Sequence, residues 1–162
     1  MPTPNITAST RYFDRGTTKV YFLPTVAATN LTPTRAEMDA GTNLSNEVAD
    51  LNGWSVAAEQ IDTPVLGSVF TGSIPGGTSS PESSITFYSS SNSVDVRALL
   101  PRGTTGYVMW LDGGDVGGNK ADVFPVRVKA VPKQRSLGNE AAKIEVQFSI
   151  TREPGENVTV PA

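Results

Sequence analysis

The sequence predicts a mostly β protein, a β-sandwich or partly closed barrel with one or two short helices and long loops. Three observations predict it. Two segments near the C-terminal end alternate apolar and polar residues with a period of two, as a half-buried strand does. The 162 residues include 15 Gly and 12 Pro with abundant Ser and Thr, and the apolar fraction is 38 %. That mixture suits short strands joined by turns and not a helical bundle. Helical signals are confined to two short stretches. The length fits a single domain over residues 1–162.

Residues 1–16 are polar and Pro-containing, without periodicity, and read as an N-terminal arm. Thr17 to Leu23 is rich in β-branched and aromatic residues and reads as the first strand, ended by Pro24. Residues 24–53 form a long connection holding one short helix, in which Thr34 and Glu37 make a capping box and Gly41 closes the C-terminus. A second turn is expected from Ser45 to Leu51. Trp54 to Ile61 reads as a strand, and Val69-Phe70 as a very short one. Residues 71–84 are Gly, Ser and Pro without a core pattern, which predicts a flexible excursion.

Ser84 to Ser90 returns to a strand. Ser93 to Leu100 reads as a short helix with Asn92 or Ser93 as N-cap and Gly103 as its stop. Thr105 to Leu111 is apolar on both faces and therefore central. Asp122 to Val131 places Phe124, Val126, Val128 and Ala130 on one face and Arg127 and Lys129 on the other. Lys143 to Thr151 sets Ile144, Val146, Phe148 and Ile150 against Lys143, Glu145, Gln147, Ser149 and Thr151. Residues 152–162 read as a polar C-terminal tail.

The chemistry the chain lacks is as informative. With no His and no Cys, neither a Ser-His-Asp triad nor a thiolate or imidazole zinc site can be assembled. Two-carboxylate chemistry or an oxygen-ligand cation site remains, but the close acidic pairs Glu37/Asp39 and Glu47/Asp50 read as solvated charge, with Glu37 completing a cap. The loop from Asp112 to Asn119 is acidic and Gly-rich. It matches neither an EF-hand nor a phosphate loop and reads as a hairpin connection. No cofactor is expected. Asn5, Asn30, Asn43 and Asn157 open glycosylation sequons, read as chance matches in a Ser/Thr-rich chain. Trp54, Trp110, Tyr107, Phe124 and Phe148 lie in strand patterns and read as core.

The net charge of −3 and the scattered Lys and Arg argue against a nucleic-acid surface; the densest basic stretch, Arg127 to Arg135, reads as a strand with its following loop. No apolar run is long enough to span a membrane, and the opening residues lack signal-peptide character, so assembly in a cytoplasm is expected.

The order of motifs carries a resemblance. Leu23-Pro24-Thr25 is followed by Pro33 to Glu37, Gly41 to Ser45, Gly53-Trp54, and Ile61 to Pro64. Then come Phe70 to Gly76, Ser84 to Tyr88, Arg102 to Thr104, and Phe124 to Val128 before the last alternating strand. Over roughly residues 20–151 this resembles the tail-tube (major tail) proteins of long-tailed bacteriophages, especially those of actinobacterial hosts. The resemblance implies a structural virion protein and no enzyme, with a sandwich or barrel and a flanking helix. Subunits form rings of six that stack into a tube. The tube encloses the tape-measure protein, joins tail-tip and tail-terminator proteins, and conducts DNA without binding it specifically.

If each subunit gives four strands to a shared barrel, strands ~4.8 Å apart tilted ~40° give a backbone radius of roughly 24 Å, wide enough for a duplex. Glu145, Gln147, Ser149 and Thr151 are then candidates to face the lumen, with an ordinary outer solvent face as the other reading. Ile74, Pro75, Gly76, Pro81 and Glu82 are candidates for a loop that reaches a neighbouring subunit. A virion binding or decoration module, and the tube protein of a contractile or type VI-like secretion device, are the alternatives.

Overall fold

The computed structural model describes residues 1–162. In chain order the elements are β1 (Lys19–Leu23), α1 (Arg35–Asp39), β2 (Thr42–Asn43), a 3-10 turn (Ser45–Glu47), β3 (Val48–Asn52), β4 (Ala57–Thr63), β5 (Gly72–Ser79) and β6 (Ser83–Tyr88). They continue with α2 (Val96–Leu99), β7 (Thr105–Leu111), β8 (Lys120–Ala130), β9 (Lys133–Gln134), β10 (Lys143–Ile150) and β11 (Gly155–Thr159).

Nine strands make one sheet in the order β2-β1-β7-β8-β10-β6-β3, with β11 added to β8 and β9 to β10; β4 and β5 pair only with each other. Every pairing is antiparallel. The two ends of the main path, β2 and β3, are joined by residues 44–47 alone. The sheet must therefore curl until its edges lie within a span of roughly 17 Å or less. It does not close into a barrel, and the fold is β-sandwich-like.

Curling gives the sheet an inside. Val20 and Phe22 of β1, Val108 and Trp110 of β7, Phe124, Val126 and Val128 of β8, Ile144, Val146 and Phe148 of β10, and Ile85 and Phe87 of β6 form one core. Leu44, Val96 and Leu100 of the connections pack into it. The alternate residues of the first strands face the other way. Leu23, Met109, Leu111, Ala121 and Val123 form a second cluster with Val26, Leu31 and Met38 from the 24–38 connection and with Val158 and Val160. Thus β7 reads as apolar on both faces because both faces are covered. Over β10 and the end of β8 that outer face has no second layer, and there the exposed or half-buried Arg127, Lys129, Lys143, Glu145, Gln147 and Ser149 stand.

Several expectations are corrected. The expected polar tail carries β11, which pairs with Lys120, Ala121 and Val123 of β8 and brings two buried valines, Val158 and Val160, with it. Residues 71–84 are not a loop: β5 forms a ladder with β4. A ladder needs only backbone partners, and because neither face of this pair is buried its sequence shows no apolar period. Val69-Phe70 is an exposed bend in place of a strand, and the expected turn over 45–51 ends in β3. Helix α2 is capped by Asp95, whose carboxylate accepts from the Arg97 N–H, and not by Asn92 or Ser93. Helix α1 has the expected capping box, but its C-cap is Ala40. Gly41 serves packing: a Cβ there would come 2.8 Å from the Phe22 carbonyl oxygen.

Trp54 does not start a strand. Gly53 and Trp54 both have positive φ (83° and 67°), and this corner turns the chain out of the sheet while the indole turns back in. Its ring packs edge-on or tilted against Trp110, Phe124 and Phe148 at 5.3–5.4 Å between centroids, and its Nε1–H donates to the Ser84 carbonyl at 3.2 Å. Trp54→Ala should cost about 3 kcal/mol of folding free energy. Urea unfolding checks this: the midpoint should fall with the slope unchanged, and an unmoved midpoint would remove Trp54 from the core account.

Candidate assembly surfaces

Three groups of residues drew attention as chemistry, and the structure commits most of them to holding the fold. Glu37 caps α1: its Oε2 accepts from the Thr34 N–H at 2.7 Å and its Oε1 from the Ala27 N–H at 2.8 Å. These backbone donors, Thr34 first, hold its carboxyl below the usual range. Asp39 accepts from Arg35 Nε at 3.0 Å, within α1. In the 112–119 loop, which is a β7–β8 connection as expected, both Asp115 oxygens are taken. Arg35 donates to them at 2.6 and 2.9 Å, and the Tyr21 hydroxyl donates to Oδ2 at 3.0 Å. This fork pins α1 across β1 to the loop.

The candidate lumen residues separate in part. Glu145, Gln147 and Ser149 lie on one face of β10, opposite Thr86, Ser84 and Arg127 respectively. Glu145 accepts from Gln134 Nε2 at 3.1 Å. Thr151 lies one residue beyond the strand. Its N–H donates to the Pro125 carbonyl at 3.0 Å and its hydroxyl to the same oxygen at 3.3 Å.

The candidate inter-subunit residues lie along one projection. β3 and β6 pair in the main sheet, and beyond the Gly53–Trp54 corner their chain continues as the β4–β5 hairpin. Ser80 Oγ bridges its neck by donating to the Ser55 carbonyl at 2.7 Å. Ile74 faces Ile61 and Pro75 faces Gln60, beside a register shift at Ala58/Gln60. Gly76 lies against Ile61, where a Cβ would come 2.8 Å from its Cδ1. Pro81 and Glu82 stand at the base, and Glu82 accepts from Lys129 Nζ at 2.6 Å. The tip is apolar and uncovered: Leu66 and Val69 are fully exposed, and Val65 and Phe70 largely so.

Spatial grouping shows two further features that spacing in the sequence does not reveal. Arg102, Arg127, Lys129 and Ser149 line one shallow groove, although 25 residues separate the two arginines. Asp14, Asp112 and Asp122 meet at a cleft floored by Trp54, Trp110 and Phe124. The signal that joins them is the strand register of β1 on β7 and of β7 on β8, which requires the fold.

A curled sheet with one uncovered polar face and a projecting apolar-tipped hairpin defines a β-sandwich-like protein whose distinctive surfaces are a sheet face and a hairpin. The chain belongs to the phage tail tube protein family, whose family model matches residues 6–162. Membership makes it a structural component of a bacteriophage virion, in the tail tube. No curated protein matches the chain.

The Asp115 fork predicts a pH dependence. The Arg35 hydrogen bond, then the Tyr21 hydroxyl, lower its carboxyl below the ordinary value against the opposing effect of desolvation. A depressed folded-state value contributes stability that is complete above about pH 5 and is lost as pH falls through the ordinary carboxylate value and then the lower one. Asp115→Asn should therefore melt lower than the wild type at neutral pH and lose less between about pH 5 and about pH 3. Parallel melting curves over that range would show that the fork adds nothing to stability.

Proposed function

We propose that this chain is a non-enzymatic tube subunit. Copies associate side by side into rings of six, and rings stack into the hollow tail tube. That tube encloses the tape-measure protein, meets tail-tip and tail-terminator proteins at its ends, and conducts DNA into the host. One observation carries this reading: the β4–β5 hairpin is ordered yet has every residue exposed or half-exposed, and its apolar tip meets nothing. An isolated two-stranded hairpin is marginal in water. A projection of that kind is stabilised by docking on another copy, where buried area offsets the entropy of ordering it. Ile74, Pro75, Gly76, Pro81 and Glu82 belong to this arm.

The uncovered polar face of β10 supports a lumen role for Glu145, Gln147 and Ser149, with Thr151 at its edge. In a ring closed through neighbouring sheets, one face must turn inward, and an uncharged or mixed-charge face lets a phosphate backbone pass without being gripped.

Removing residues 57–79 and joining the ends with a short Gly-Ser link should leave a folded monomer that no longer forms tubes. Electron microscopy beside solution sizing reads this out, and normal tubes from the deletion would refute the docking role. The chain has no Cys. In assembled tubes, Ser149→Cys and Gln147→Cys should react with a small maleimide and resist one carrying a bulky polymer. Equal reaction with both reagents would put that face on the outside.

A further inference from the structure

The β7–β8 pair carries opposite charge at its two ends. Trp110 pairs with Asp122 at one end and Thr105 with Arg127 at the other. Asp122 and Arg127 are five strand positions apart, a distance of roughly 17 Å. At the first end, Asp14, Asp112 and Asp122 border a cleft of about 590 Å³, and none of them has a salt-bridge partner. Arg15 and Lys19 also line it without pairing with these carboxylates. Asp14 accepts from the Thr18 hydroxyl at 3.2 Å, and Asp122 from the Asn157 N–H at 2.7 Å. Asp112 has no such donor, and its carboxyl is raised by desolvation first and then by Asp122 and Asp14.

A second feature of the cleft is independent of charge. Trp110 lines it, is 9 % exposed, and its Nε1–H is buried with no acceptor. Buried donors without acceptors are rare. The cleft therefore has an apolar floor and three carboxylates held in no salt bridge.

At the other end, Arg102 stands exposed on the Pro101–Thr104 turn, and Arg127 stands exposed beside it in one groove. Neither has a carboxylate partner, whereas Lys129 is already paired with Glu82. A short turn bearing an unpaired cation is complementary in charge to such a cleft.

We propose that copies of this chain join head to tail, with the Arg102 turn of one copy seated on the Asp14, Asp112 and Asp122 cleft of the next. This rests on the tube reading and deepens it by naming one of its contacts. The occupant is a second copy because both halves of the contact are on this chain, on opposite ends of the same two strands. A contact between unlike surfaces generates a ring or an open stack and does not limit itself to a dimer.

The test uses the full-length chain with its hairpin intact. Asp112→Lys and Arg102→Glu are each expected to raise the concentration needed for assembly by about tenfold or more, since each sets like charges face to face. Mixed in equal amounts they should co-assemble near the wild-type concentration, because the lysine end of one then meets the glutamate end of the other. Circular dichroism confirms that each variant is folded. Should either fail that check, Asp112→Asn and Arg102→Gln replace the pair, and both should weaken the dependence of assembly on salt. Unchanged assembly by the single variants, or no rescue on mixing, overturns the head-to-tail contact while leaving the tube reading standing. A wild-type chain that never assembles overturns both.

Discussion

β8 is the strand on which the rest of the structure depends, because its first half has no solvent side. Ala121 and Val123 point to one face, Phe124 and Val126 to the other, and all four are buried. A strand buried on both faces must also have both edges paired, since orphaned peptide groups away from water cost free energy comparable to a lost hydrogen bond. β7 takes one edge; β11 and then β10 share the other. Each of these obligations recruits an element. The curled sheet covers the inner face, and α1 with residues 24–34 and Val158 and Val160 covers the outer. The Arg35–Asp115 fork fixes the cover to the strand pair beneath it.

Where those obligations end, the surface becomes available. Past Val126 the outer face of β8 loses its cover, and Arg127, Lys129 and the polar residues of β10 meet solvent. The hairpin goes further and belongs to no layer. It leaves the body at a corner of two left-handed residues, one of them a half-buried tryptophan packed against the inner core. The anchor of the most exposed element thus rests on the inner core through three aromatic contacts. Movement of the hairpin base cannot be independent of the Trp54, Trp110 and Phe148 packing.

The sequence showed those parts of the fold in which one face is wet. The alternation in β10 and β8 and the Thr34–Glu37 box on α1 were legible because burial and capping act on side chains. β11 was not, because only Val158 and Val160 of that segment are buried and the rest reads as tail. β4 and β5 were not, because a ladder exposed on both faces selects no apolar period. Trp54 was read correctly as core but placed in the wrong element: its positive φ is set by the corner and leaves no mark in neighbouring residues. The acidic cleft and the basic groove were hidden for a different reason. Their members come from segments as far apart as Asp14 and Asp122, and only the β1–β7 and β7–β8 registers bring them to the two ends of one strand pair.

The pairing of β1 with β7 has a consequence in time. Leu23 and Tyr107 are neighbours in the sheet, yet β3, β6, α2 and the whole hairpin lie between them in the chain. Closing so long a loop is slow, and sheets dominated by distant pairings fold in milliseconds to seconds. The β4–β5 hairpin closes over the eight residues from 64 to 71, and hairpins form in microseconds. Its apolar tip is therefore presented before there is a body to carry it. A nascent chain is adhesive before it is a building block, and the yield of usable protein is governed by how fast β1 finds β7 as much as by how stable the finished sheet becomes.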